Sequence, residues 1–204
     1  MSKPIIISLG VDCGPSGFLK EIGNRSFSLP FDWVVTYGGV YKIIKNFFDS
    51  YIPSDYFFSY GIFNDTISGV RYVHHKFPED CEKLKRRTDR FLDLLNLDEE
   101  IVFIRKGHSF HHHEECKKFN FILEDDILDS EKLSKFLVEK YPNLKFKILV
   151  FLRCEKCYKN VNEYFSKNVL CYNLLHTHIE YEKILTNMGL DESKVNHFVN
   201  YILK

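Results

Sequence analysis

No stretch of this 204-residue chain approaches the ~20 apolar residues that a membrane-spanning helix needs. The apolar opening, Pro4 to Leu9, is too short for a secretory signal and carries no cleavage pattern. Charge of one sign is missing too. Twenty-eight basic side chains balance 28 acidic ones, so bulk electrostatics do not favour nucleic acid or an anionic membrane as partner. There is no Gly-x-Gly-x-x-Gly, no phosphate-binding P-loop and no His-Glu-x-x-His, hence no implied cofactor or metal. The six cysteines, at 13, 81, 116, 154, 157 and 171, form no dense framework and read as reduced thiols in a cytoplasmic protein. Repeats and long linkers are also absent. A chain of this length can bury one core without staples, so residues 1–204 are expected to form a single domain.

Apolar and aromatic residues are plentiful, with 19 Phe and 12 Tyr. Ile5 to Ile7 is apolar at every position, as a strand buried on both faces requires. Ile101 to Arg105, Phe146 to Leu152 and Val169 to Leu175 repeat that signal, and Val70 to Val73 follows a turn at Asn64–Asp65 and Gly69. Between them lie helical patterns. Phe18, Leu19 and Ile22 follow a turn at Gly14–Gly17 and stop at Gly23, and Val40 to Phe48 follows Gly38–Gly39. Pro78 to Leu97 buries Leu84, Phe91, Leu92 and Leu95; Asp129 to Tyr141 is capped by Asp129; two more helices occupy the tail. Such alternation predicts an α/β fold, one layered domain with a mainly parallel central sheet flanked by helices.

Chemistry concentrates where the first strand hands over to the first helix. Cys13 sits there, near backbone N–H groups of Gly14, Ser16 and Gly17 that could hold an oxyanion, at the sheet edge where α/β proteins bind ligands. Position alone slightly favours a small buried cysteine under a tight turn. Asp32, between Phe31 and Trp33, is either a carboxylate that ties down loop N–H groups or a member of a site. His74 and His75 end a strand and point to opposite faces, so one of them at most can look at Cys13; His176 and His178 remain alternative bases. Arg87 and Arg90 share a side of their helix, and Arg105 ends a strand at the same edge as Cys13 if the two strands are parallel. Residues 108–116 are dense in His, Glu and Cys, yet their spacing suits a polar loop better than a metal site, and Cys154–Cys157 is a lone C-x-x-C pair.

The segments S-L-G-V-D-C (Ser8, Leu9, Gly10, Cys13) and P-F-D-W (Pro30, Phe31, Asp32, Trp33) resemble those of the papain-like cysteine peptidase family, a domain of unknown function in bacteria and viruses. His75 with Phe77, then Arg86, Arg87, Arg90 and Phe91, and finally Phe103 and Arg105 extend the resemblance. It implies a cysteine nucleophile, Cys13, with His75 as base and Asp32 as its orienting acid. It also implies a papain-like fold, with Cys on a long helix against an antiparallel barrel-like sheet, which conflicts with the α/β pattern. Two functions follow. One is a cysteine hydrolase or acyl transferase acting on an unknown substrate. The other is a non-hydrolytic domain that binds an anionic small ligand, a phosphorylated sugar or nucleotide, through Gly14, Arg87, Arg90 and Arg105. A third option, an interaction module, would need a large exposed apolar patch.

Overall fold

The computed structural model describes residues 4–49, 51–52, 57–59, 62–65, 68–108, 110–119, 125–152, 164–173 and 193. Its centre is a sheet in which β1 (Ile5–Ser8), β6 (Glu100–Lys106), β7 (Lys145–Leu152) and β9 (Val169–Asn173) lie side by side and parallel, with β8 (Tyr164–Ser166) antiparallel beyond β9. All four apolar runs of the sequence are therefore strands of one sheet. Ile101, Phe103, Ile148 and Val150 join the main core on one face, while Val102, Ile104, Leu149 and Phe151 are buried on the other. Burial on both faces is what removes polar alternation from these strands. The expected α/β architecture is found, and it is not the antiparallel barrel that a papain-like label implies.

A smaller antiparallel sheet, β2 (Val35–Thr36), β5 (Val70–Tyr72), β4 (Ile62–Asp65) and β3 (Phe57–Ser59) in that spatial order, joins the carboxyl rim of β1. The link is a relay of main-chain bonds: Thr36 N–H to Val11 O at 2.9 Å, and Lys106 N–H to Gly10 O at 3.0 Å. Gly10 makes this possible with φ +82°, and a Cβ there would lie 2.9 Å from Thr36 Oγ1.

Helices α1 (Gly14–Glu21), α2 (Tyr41–Lys45), α3 (Cys81–Leu94), α4 (Phe110–Phe119) and α5 (Asp126–Lys140) complete the described elements. Several boundaries differ from the sequence expectation. Gly14–Gly17 is the first turn of α1 rather than a turn before it, because Pro15 is tolerated where a helical N–H needs no partner. Asn64 and Asp65 belong to β4, so the turn to β5 follows them. Pro78 and Glu79 precede α3, whose first residue is Cys81. α2 is short because Phe47 and Phe48 adopt positive φ, and P-F-D-W forms a 3₁₀ turn. Residues 110–119 form a helix, not a polar loop. No described helix is long and apolar enough to cross a membrane.

Asp129 is not the cap of α5; Asp125 is, accepting from Leu128 N–H at 2.8 Å. Asp129 lies one turn inside, buried, and caps α2 instead, accepting from Val40 N–H at 2.9 Å and Tyr41 N–H at 3.1 Å. Gly39, at φ +77°, is held where any Cβ would fall on that carboxylate. Asp129 Oδ2 also lies 3.7 Å from Arg105 Nη1, inside a fully buried cluster. Asp129→Ala removes a cap and a buried counter-charge together and is expected to cost about 3–5 kcal/mol. Urea unfolding of the two proteins measures the loss, and Asp125→Ala, at an exposed cap, is expected to cost about 1 kcal/mol.

Candidate functional site

Cys13 stands where the sequence places it, at the N-cap of α1 on the carboxyl rim of the parallel sheet, and it is partly exposed. The N–H groups around it are mostly engaged. Gly14 N–H donates to Asp12 Oδ1 at 2.8 Å and Gly17 N–H to Cys13 O at 2.9 Å, so of the three only Ser16 N–H is not engaged by either. Burial, then the neighbouring Asp12 carboxylate, push the Cys13 thiol up to about 11, against a smaller lowering by its own backbone hydrogen bond and by Lys106. At neutral pH the sulfur is a thiol. No hydrogen bond joins it to any histidine among the described residues.

Asp32, Arg87 and His75 form a separate file. Asp32 accepts from Leu29 N–H at 2.8 Å, lies 3.5 Å from Arg25 Nε, and takes a hydrogen bond from the Ser16 hydroxyl. Burial still raises its pKa, over the opposing pull of Leu29 N–H and Arg25. The buried carboxylate thus ties down a loop, and it is close enough to Cys13 to add to the rise of the thiol. At the far end of the file His75 is buried, with Arg87 Nη1–H donating to its Nε2 at 3.0 Å. A guanidinium can only donate, so His75 is neutral with its proton on Nδ1. Burial, then Arg87, lower its pKa to about 4. His75 is therefore bonded neither to Cys13 nor to Asp32, and its acceptor lone pair is occupied. His74 is exposed and meets the edge of Trp33, 5.7 Å between ring centres.

The parallel pairing of β1 and β6 does bring Arg105 to the rim near Cys13, but the side chain is fully buried. Its guanidinium lies 3.0 Å from Asp126 Oδ1 through both Nε and Nη2, and Nη1 donates to Leu9 O at 3.4 Å. Burial is the largest single influence on Asp126 and raises it, but Arg105 and His108 together outweigh burial and hold the carboxyl at about 2. Arg87 and Arg90 line one groove with Lys83 and Arg86, well apart from this cluster.

Three rim residues escaped the sequence reading. Asp12, immediately before Cys13, accepts from Lys106 Nζ at 2.9 Å, and His112 Nε2 on α4 lies 3.7 Å from the same carboxylate oxygen. His112 is buried and packs against His108 and Tyr37. Burial is the largest influence on it and lowers its pKa to about 4. The available signal was the order of residues: a Lys directly after a buried strand, and an Asp directly before the cysteine. Below this group Tyr37 donates to Glu115, which also accepts from Arg71 Nη1 at 2.7 Å. Among the described residues no group of three His, Cys, Asp or Glu side chains is arranged to hold a metal ion. Cys154, Cys157, His176, His178 and the tail helices lie outside the described residues.

A family model described as "Putative papain-like cysteine peptidase (DUF1796)" matches residues 5–156. The chain belongs to that family. An uncharacterized protein of Acanthamoeba polyphaga mimivirus is 30% identical, over 50% of this chain and 60% of its own length. The chain thus spans less than two thirds of that relative. No solved structure matches. Within this family member, the matched span holds Cys13, Asp32, His75 and the whole Asp12–Lys106–His112 group.

The two lowered histidines carry a stability signature. Unfolded, each titrates near its ordinary value of about 6.5; folded, His75 and His112 do so at about 4. Between these values the unfolded chain binds protons that the folded chain refuses. Stability is therefore full above about pH 6.5 and falls as pH drops toward 4, by roughly 3 kcal/mol for each histidine. Urea unfolding from pH 8 to 4 is expected to show this loss. His75→Gln should flatten about half of it, whereas an unchanged slope in that variant would contradict a neutral His75.

Proposed function

We propose that this chain is a cysteine-nucleophile hydrolase or acyl transferase in which Cys13 attacks and His112 accepts the proton, with Asp12 orienting the imidazole. The observation that carries this reading is the placement of His112 Nε2 3.7 Å from the carboxylate that precedes Cys13. His75 is the less suitable acceptor, since Arg87 already occupies its Nε2. Family membership supports the reaction class, and the α/β frame supports only the position of the site, because such constellations recur on unrelated folds.

The charges decide how the step proceeds. With the thiol at about 11 and the imidazole at about 4, a resting thiolate–imidazolium pair lies on the order of 10 kcal/mol above the neutral pair. The proton therefore moves during attack and not before it, as in general-base catalysis. Sγ bonds to the acyl carbon, its proton passes to His112, and the leaving group departs with that proton. Water or a second acceptor then releases the acyl group from sulfur. In this reading Ser16 N–H, in the first turn of α1, donates to the oxyanion.

Hydrolysis of an activated ester tests the proposal. Cys13→Ala is expected to abolish it, and His112→Ala to lower kcat by ~10²–10⁴. Alkylation of Cys13 by iodoacetamide should accelerate with pH through pH 10 without a plateau near neutrality. Full activity in Cys13→Ala overturns the reading, and loss in His75→Ala with His112→Ala unaffected returns the base to His75 and Asp32.

A further inference from the structure

Four cations crowd one side of α3. Lys83, Arg86, Arg87 and Arg90 fall at i, i+3, i+4 and i+7 and together line a groove of about 350 Å³ with Phe27 and Ser28. Like charges at this spacing repel one another. Among the described residues one carboxylate is paired with them, Asp80, 2.7 Å from Lys83 Nζ. Arg90 spends a donor on Ser28 O at 2.8 Å and lies over the Phe27 ring. Arg86 is exposed and makes no hydrogen bond or ion pair among the described residues.

Arg87 is the unusual member. It is nine-tenths buried, and its one hydrogen bond among the described residues goes to the neutral ring of His75. A guanidinium removed from water without a carboxylate in contact is costly, and buried charges are normally paired. The Asp32 carboxylate influences it from a distance but makes no ion pair with it. Ser28 Oγ already accepts from Arg25 Nη2 at 2.7 Å, so the hydroxyl proton is left to donate elsewhere.

We propose that this groove binds the phosphate group of a small phosphorylated molecule, with Arg87 as the buried anchor and Arg86, Arg90 and Ser28 around it. A guanidinium fork matches two phosphate oxygens at once, and a dianion offsets the surplus charge better than a single carboxylate. The volume sits at the lower end of the range for small-molecule sites, which suits a phosphate with a short organic body. The groove is separate from Cys13, so this inference stands or falls independently of the proposed acyl chemistry.

Calorimetric titration of the full chain at constant ionic strength tests it, with inorganic phosphate, glycerol 2-phosphate and dimethyl phosphate as probes. Saturable one-site binding of the first two is expected, with dimethyl phosphate much weaker. Arg87→Gln should weaken phosphate binding ~10-fold or more. Arg86→Gln, an exposed change that leaves folding intact, should weaken it ~3-fold. Lys85→Gln, outside the groove, should change nothing. No saturable phosphate binding, or binding indifferent to both arginine variants, overturns the site; dimethyl phosphate binding as well as phosphate overturns the monoester class.

Discussion

A guanidinium with no exposed surface sets the terms for the rest of this fold. Arg105 lies one residue before the end of the second strand of the sheet, and burying its charge is tolerable only with carboxylates brought to it. Asp126 and Asp129 do this from α5, and Leu9 O completes the shell from β1. The three groups come from three parts of the chain, so the cluster fixes where α5 sits against the sheet rim. Asp129 then passes the constraint on, holding the start of α2 through Val40 and Tyr41. Asp126 passes it in the other direction, accepting from His108 N–H at 2.7 Å and holding the segment that leads into α4.

That second branch is how His112 reaches Cys13's neighbourhood. β6 delivers Lys106 beside Asp12 through its pairing with β1, and the anchored His108 starts the chain toward α4. The Asp12–Lys106–His112 group is thus a consequence of strand register and of one buried ion cluster. The Asp32–Arg87–His75 file depends on different elements, the 3₁₀ turn and α3, and packs against the aromatic core. Two polar systems flank the thiol, and they are built on different elements: His75, which the resemblance joins to Cys13 and Asp32, is hydrogen-bonded to Arg87 instead.

The strands were legible because burial on both faces leaves a run of apolar residues that no surface element shares. Cys13's position was legible for the same reason: the end of such a run, followed by glycines and a helical pattern, can hardly be anything but a rim. Helix ends were not, since their caps are tertiary. Nothing local distinguishes Asp125 from Asp129 as a cap; only the location of α2 does. His112 was hidden inside H-H-H-E-E-C, a string whose polarity reads as loop, although one of its histidines is buried and one helical turn from Glu115. Arg105 looked like a ligand-binding group because a charged residue at a strand's end usually faces solvent. Its partners lie 21 and 24 residues away, at Asp126 and Asp129, beyond any local pattern.

The family's most distinctive segment, P-F-D-W, has a physical account of its own that needs no catalysis. Phe31 is fully buried, with its ring centre 5.6–5.8 Å from those of Phe48, Tyr51 and Phe91. Tyr51 donates to Pro30 O at 2.5 Å, and Trp33 lies under the Arg25 guanidinium at 5.0 Å. Asp32 closes the turn through Leu29 N–H. Each residue is accounted for by the joint between the small sheet, α1 and α3. A motif can therefore mark a family through architecture alone. In this chain the carboxylate nearest in sequence to Cys13 is Asp12, and it lies 3.7 Å from His112 Nε2.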